Sequence, residues 1–273
     1  MKIGGPARVF CQPAGTEQLI RCIQLCREHQ VEYYLLGKGS NTLFADRGYP
    51  GAVICLDEAS SRIQVEDDQI IAGAGAPLHK VCRAALNAEL GGLEFAYGIP
   101  GSVGGAVYMN AGAYGGEMKD VLAEVYYIDE NGRMQTKPAE ELKLGYRTSC
   151  FMDTDQCIVA ARFVLHPARK QEIEDRMEDL MERRRSKQPL EYPSAGSTFK
   201  RPQGAFAGAL IEQCGLKGMR VGGAAISEKH CGFVVNLGGA TCRDVVELTQ
   251  KVHDIVLEKT GFVLEREIRV GGE

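Results

Sequence analysis

The sequence predicts a mixed α and β protein of the α+β class, with a glycine-rich amino-terminal part followed by a smaller carboxy-terminal part. Three observations carry this. Helix-period and strand-period segments intermingle along the chain. Glycine concentrates between residues 36 and 115, where "GIPGSVGGAVYMNAGAYG" (98–115) alone holds six (98, 101, 104, 105, 112 and 115). Near residue 168 the pattern changes from apolar strands to the charged stretch "RKQEIEDRMEDLMERRR" (169–185), which places a boundary there.

Each element follows from its spacing. "TEQLIRCIQLCREHQ" (16–30) puts Leu19, Cys22, Ile23 and Cys26 on one helical face, with Thr16 as the expected cap. "VEYYLLG" (31–37), "AVICL" (52–56) and "QIIAGAG" (69–75) read as strands, and "PLHKVCRAALNAEL" (77–90) as an amphipathic helix with Pro77 in its first turn and Gly91 at its end. "VLAEVYYIDENGRMQTK" reads as a hairpin turning at Asn131-Gly132, and "CIVAARFVL" (157–165) as a buried strand. Ile173, Met177, Leu180 and Met181 form an apolar stripe on the charged helix that follows. "AFAGALIEQCG" is a short helix stopped by Gly215, and "CGFVVNL" a strand. A long helix then runs from Thr241 to Gly261, opened by a capping box between Thr241 and Asp244. "FVLEREIRV" (262–270) alternates as a closing strand, with Phe262, Leu264 and Ile268 on one face.

Composition narrows the function. The 273 residues suffice for two or three packed units, and 44% hydrophobic with 25% charged residues is ordinary globular usage. A net charge of −4, with "RRRSK" (183–187) the largest basic cluster, gives no nucleic-acid footprint. No apolar run reaches the ~20 residues of a membrane span, and no signal peptide opens the chain, so a cytoplasmic protein is expected. Ten cysteines without a C-x-x-C pair read as buried free thiols in a reducing compartment, with no metal site.

The glycine segments point to a ligand. "LGKGSNTLF" (36–44) follows a strand and "AGAGAPL" (72–78) leads into a helix. Glycine-rich reversals expose backbone N–H groups that a pyrophosphate can approach without meeting a β-carbon. Tight turns between strands explain either short loop equally well. Three such segments within about eighty residues suit one extended phosphate-bearing ligand. "GKGSNT" lacks the third glycine of the dinucleotide fingerprint, and no glycine loop ends in the lysine-serine or lysine-threonine of an NTP site.

"LGKGSN", "GLEFAYGIPGSVGGAVYMNAGAYG", "YRTSCF", "PSAGSTFKRP" and "LEREIR" occur in this order between residues 36 and 269, and from Gly4 to Gly272 the chain resembles the UDP-N-acetylenolpyruvoylglucosamine reductases (UDP-N-acetylmuramate dehydrogenases). The resemblance implies a two-part FAD-binding domain of the p-cresol methylhydroxylase/vanillyl-alcohol oxidase type, in subdomains 1–60 and 61–168, and a substrate-binding domain over 169–273. It implies non-covalent FAD, NADPH as hydride donor and UDP-N-acetylglucosamine enolpyruvate as substrate, in a chain expected to act as a monomer.

By motif position the resemblance assigns the cofactor to Gly37, Gly39, Ser40, Asn41, Gly98, Pro100, Gly101, Ser102, Gly105, Ala106 and Ile158. It makes Arg147 the support for negative charge on the enolate, Ser197 the proton donor and Glu267 the assisting carboxylate. A carboxylate beside an enolate helps only if protonated or bridged to a cation. It assigns substrate to Tyr146, Lys187, Arg201 and Asn236, with Arg201 and the Lys217 region the weaker candidates, Lys200 read as simply solvated and His230 as a structural histidine. Taken singly, Arg147 also reads as a surface arginine after a turn, Ser197 as a cap or turn serine and Glu267 as an exposed strand residue. The trio gains meaning only as a set within matching motifs. Three departures stand out, one being that Arg201 stands where some members have asparagine. The chain starts just before "IGGPA", where family members carry a longer lead-in, and only about fifty residues separate Arg147 from Ser197. That spacing leaves no room for a tyrosine-bearing insert and implies the shorter, type II class. A flavin oxidase acting on an alcohol or lactone, and a nucleotide-binding module without turnover, are the alternatives.

Overall fold

The computed structural model describes residues 1–272 and divides the chain into two compact units. The first comprises Val9–Lys38 and Gly51–Arg183, and the second Met1–Arg8, Gly39–Pro50 and the chain from Arg184 onward.

The first unit is built on a five-stranded antiparallel sheet in the order Met134–Pro138, Leu122–Ile128, Cys157–Val164, Gln69–Gly73, Ile63–Glu66. The Asn131-Gly132 hairpin forms as expected, and Asp129 Oδ1 fastens it by accepting from the Asn131 and Arg133 N–H groups at 2.9 and 2.8 Å. Tyr33–Leu36 runs parallel to Ala52–Cys55. Three helices join these strands: α1 (Thr16–Glu28), α2 (Leu78–Asn87) and the short α3 (Val103–Tyr108). The core gathers Leu19, Ile23, Ile54, Ile70, Val81, Val107, Ile128 and Phe163. The charged helix α4 (Lys170–Lys187) buries Ile173, Met177 and Leu180 in that same core, through its part that belongs to the first unit.

The second unit centres on a four-stranded sheet ordered Ser194–Ser197, Phe233–Asn236, Ala224–Ile226, Arg220–Val221. Helix α5 (Ala207–Gln213) ends at Gly215 as expected, and helix α6 (Cys242–Thr260) spans the expected residues. The Thr241–Asp244 capping box is present in both directions. Asp46 extends it, its carboxylate accepting from the Cys242 and Arg243 N–H groups at 2.7 and 3.0 Å, so the donors of the first turn are satisfied.

Three expectations need correction. Thr16 does not cap α1: Gly15 holds that place, and Gln18 reaches back to accept from the Ala14 N–H at 2.9 Å. Helix α2 ends at Asn87 rather than near Gly91, because Glu89 turns left-handed (φ 56°) and frees Leu90–Gly91 to pair with His166–Pro167. Residues 262–270 do not form one strand. Their pairing partners change along the segment: Glu265 and Glu267 bond across to Lys200 and Thr198, whereas Arg269–Gly271 pairs in parallel with Thr42–Phe44. The alternation survives as burial of Leu264 and Ile268 without a continuous ladder. Of the ten cysteines, none is bridged; six are buried and Cys11, Cys22, Cys55 and Cys150 are half-buried.

Asp46→Ala leaves two helix N–H groups without their acceptor, and is expected to cost about 1–2 kcal/mol and lower Tm by roughly 2–4 °C. Thermal unfolding followed by circular dichroism checks this.

Candidate active site

The three glycine segments meet in the first unit. Residues 101–104 lie along residues 74–78, joined by Leu78 N–H to Gly101 O (3.1 Å), Val103 N–H to Ala76 O (2.9 Å) and Gly104 N–H to Ala74 O (2.8 Å). The third segment arrives at Gly37. A β-carbon there would stand 2.2 Å from Ser102 Oγ, so a side chain at position 37 would displace that hydroxyl. A cleft of about 410 Å³ opens beside this junction, lined by Lys38, Ser61, Gly75, Pro77, His79, Lys80, Pro100 and Gly101.

Charge and burial suit this cleft to an anion. Lys38 and Lys80 bring positive charge next to glycine backbone. His79 is held below its ordinary pKa by burial and then by the charges of Lys80, Arg83 and Lys38, so it is neutral at pH 7. Ser102 is 1% exposed, and its Oγ meets no hydrogen-bond partner among the described residues. A buried hydroxyl left unpaired costs about 1–3 kcal/mol. Such an atom at a glycine junction beside cations fits a polar ligand group. The site therefore has the chemistry to hold a pyrophosphate-bearing cofactor such as FAD.

The remaining cofactor residues distribute as follows. Gly98 and Pro100 form the turn entering Gly101; Gly105 is exposed on α3 and Ala106 buried beneath it. Ile158 is buried on the strand Cys157–Val164, against which α3 packs. Gly39, Ser40 and Asn41 continue the Gly37 loop but belong to the second unit. There Gly39 is left-handed (φ 62°), and Asn41 Nδ2 donates to Glu267 O at 3.1 Å while Asn41 O accepts from Arg269 N–H at 3.1 Å.

Arg147 sits in the first unit on a tight turn closed between Gly145 and Thr148. Its φ of 55° is unusual for a residue with a side chain and costs about 1–2 kcal/mol. Its guanidinium lies 5.0 Å from the ring centroid of exposed Tyr146, and Nη2 donates to Gly112 O at 3.4 Å. Both side chains thus stand at the end of the glycine-rich stretch.

In the second unit Ser197 and Glu267 come together. Ser197 ends its strand, exposed, while its neighbour Thr198 is wholly buried with Oγ1 accepting from Val234 N–H at 2.8 Å. Thr198 O accepts from the Glu267 N–H at 2.8 Å, which sets the glutamate's backbone opposite the residue that follows Ser197. The substrate candidates do not gather so closely. Lys187 is exposed at the end of α4, and Arg201 stacks its guanidinium over Phe206, 4.6 Å from the ring centroid. Lys200 pairs with Glu265 and Lys217 with Glu212. Asn236 is committed to the fold: Oδ1 accepts from Gly238 and Ala240, and Nδ2 donates to Met1 O. His230 organises its own turn, its Nδ1 accepting from Gly232 N–H at 3.1 Å.

Sequence reasoning missed Lys38, Gly75, His79 and Lys80 as cleft residues and passed over Asn110. The first four lay inside or beside the quoted glycine segments, so proximity to those loops was the available signal. Asn110 offered none, since a buried asparagine and a loop asparagine read alike.

Family models match the chain twice: the FAD binding domain over residues 7–137, and the C-terminal domain of UDP-N-acetylenolpyruvoylglucosamine reductase over 188–271. The UDP-N-acetylenolpyruvoylglucosamine reductase of Clostridium perfringens is 48% identical over 271 residues, covering 99% of this chain and 89% of that enzyme. The Clostridium botulinum reductase is 49% identical over 272 residues, with coverage of 100% and 89%. Among solved structures, that of the Thermus caldophilus reductase superposes with a TM-score of 0.84 at 38% identity, over 98% of this chain and 94% of that one. A berberine bridge enzyme variant shares the fold over 62% of this chain and 36% of its own, with a TM-score of 0.50 at 18% identity. The fold is thus the FAD-binding type found in flavin oxidases, followed by a reductase domain. On identity that extends almost from end to end, the chain belongs to the UDP-N-acetylenolpyruvoylglucosamine reductase family.

Proposed function

We infer that this chain is an FAD-dependent oxidoreductase that uses NADPH to reduce the enolpyruvyl ether of UDP-N-acetylglucosamine enolpyruvate, giving UDP-N-acetylmuramate for peptidoglycan. The observation that carries the reading is the near end-to-end identity with reductases of that name. The unpartnered Ser102 Oγ at the glycine junction supports the cofactor half of it. Monomeric action in the cytoplasm, where NADPH and nucleotide sugars are made, belongs to the same reading. Light scattering on the purified protein is expected to give the mass of one chain; a dimer would contradict it.

We place FAD over Gly37, Lys38, Gly101 and Ser102, with Ser102 Oγ and the cleft cations meeting its polar groups. When bound, FAD supplies the hydride chemistry that no side chain can. The remaining work falls to the protein. Addition of hydride to one carbon of the enolpyruvyl group leaves negative charge on its neighbour, delocalised into the carboxylate. Arg147 supports that charge with a permanent cation and a fixed fork of donors. Ser197 delivers the proton that quenches the carbanion. Glu267 lies beside it, held at the same point of the sheet edge by Thr198. Tyr146, Lys187 and Arg201 are assigned to the substrate; the commitment of Asn236 to backbone contacts restricts it to shaping that wall. The divisions 1–60, 61–168 and 169–273 are proposed as functional segments.

The function is tested anaerobically. The yellow FAD-loaded protein is expected to bleach with NADPH and regain colour on addition of the enolpyruvyl sugar. Recovery with oxygen but not with the sugar would select the oxidase alternative, and retention of FAD without NADPH oxidation the binding module. Arg147→Ala is expected to slow the sugar-driven step by about 10²–10³, and Ser197→Ala by about 10²–10⁴, with bleaching by NADPH unchanged in both.

Ser102→Ala separates cofactor binding from stability. Removing an unpaired buried hydroxyl leaves the FAD-free chain as stable as before or more so, whereas FAD affinity falls by about tenfold or more for the loss of a charge-assisted hydrogen bond of ~1.5–3 kcal/mol. Urea unfolding without cofactor and FAD titration by absorbance read the two effects.

His79 gives the cleft a pH dependence. An anion bound there raises its depressed pKa, so binding takes up a proton and FAD affinity grows as the pH falls toward the range in which the imidazole charges. His79→Gln is expected to flatten that slope in FAD titrations across pH.

A further inference from the structure

Asn110 ends the glycine-rich reversal with a side chain that is 0% exposed. Its carboxamide is used at both ends. Nδ2 donates to Gly145 O at 2.9 Å and to Glu117 Oε2 at 2.9 Å, and Oδ1 accepts from Lys119 N–H at 3.0 Å. Its backbone is left-handed (φ 40°), a region asparagine enters more readily than most residues with side chains. A buried amide with this much polar commitment fixes geometry rather than filling space.

What it fixes is the turn that carries Arg147. Gly145 opens that turn: its N–H donates to Thr148 O at 3.2 Å, and its carbonyl accepts in return at 3.3 Å. Tyr146 and Arg147 are the two central residues, and Arg147 is held in the left-handed region. Such a conformer persists only where the surroundings over-determine it. The far side of the turn supplies the second anchor. Ser149, 6% exposed, donates Oγ–H to Tyr108 O at 2.8 Å. Both flanks are therefore tied to Tyr108–Asn110, and Arg147 Nη2 reaches Gly112 O in the same stretch. The Glu117 carboxylate that holds the other Asn110 N–H also pairs with Lys119 Nζ at 3.0 Å, so the base of the clamp is itself braced.

We propose that Asn110 and Ser149 are positioning residues that hold the Gly145–Thr148 turn in register, and so set where the Arg147 guanidinium meets the charge developing on the substrate. This rests on the reading that gives Arg147 that role. The clamp acts on the rate of re-oxidation at saturating sugar through Arg147, displacement of Tyr146 on the same turn shows in the sugar concentration required, and neither has a part in the reduction of FAD by NADPH.

The test is a double-mutant cycle on the FAD-loaded protein, with the two half-reactions timed separately by anaerobic stopped flow. Asn110→Ala is expected to slow re-oxidation by the enolpyruvyl sugar by about 10- to 100-fold, the range for a misplaced catalytic group. Bleaching by NADPH is expected to stay within about twofold of the parent, a split that general loosening of the fold would not produce. In an Arg147→Ala background, with the sugar saturating so that contacts of Tyr146 do not enter, Asn110→Ala is expected to add nothing further. Equal slowing of both half-reactions overturns the proposal, as does the same loss with and without Arg147. If Asn110→Ala fails to load FAD, Ser149→Ala carries the same cycle, because it removes the other anchor while leaving the buried amide in place. If Arg147→Ala itself re-oxidises at the parent rate, the role given to Arg147 is what fails, and the clamp loses its object.

Discussion

The close approach of Gly37 to Ser102 is the constraint on which the first unit's site depends. A side chain at position 37 would take the space of the Ser102 hydroxyl, so the packing of the two segments uses a residue that lacks one. Residues 101–104 are joined to residues 74–78 by backbone hydrogen bonds, which fixes these two reversals against one another beside Gly37. Glycine is expensive in regular structure because it loses the most conformational freedom on folding. Here that loss yields a place where backbone, one buried hydroxyl and two lysines converge, with no β-carbon in the way.

The residues proposed for the chemistry fall in both units. Arg147 stands at the downstream end of the glycine-rich stretch in the first, whereas Ser197 and Glu267 share a sheet edge in the second. Each is held by backbone it does not itself contribute. A left-handed turn tied to buried Asn110 carries the arginine, and buried Thr198, next to the serine, holds the backbone of the glutamate. Preorganisation of this kind is what charge stabilisation requires, since donors already in place need no rearrangement when the charge appears. It also accounts for asparagine and threonine at positions where apolar residues would bury more cheaply.

Much of the fold was legible because its local signals agree with its tertiary contacts. The Asn131-Gly132 hairpin and the Thr241–Asp244 box are cases in which turn and cap chemistry act over a few residues, and both form as read. The closing segment misled for the opposite reason. Its alternation reports burial of Leu264 and Ile268 faithfully, but a ladder needs one continuous partner, and partner identity is a long-range property. The end of α2 was misplaced because Glu89 takes the left-handed conformation that glycine usually supplies. In the site, glycine spacing pointed to a ligand, and motif order pointed to the trio. His79 and Lys80 were hidden in what reads as an ordinary amphipathic helix, since the cleft is made by the approach of a loop from elsewhere in the chain. Asn110 was hidden because its value lies in Gly145, thirty-five residues away.

A crystal structure of the FAD-loaded protein tests the central claim most directly. The account expects Ser102 Oγ to gain a hydrogen bond from or to the cofactor, with the pyrophosphate lying along Gly37, Lys38 and Gly101. A cofactor bound elsewhere, with Ser102 Oγ still lacking a partner, would contradict it: the glycine junction would then be a packing solution and not the seat of the flavin.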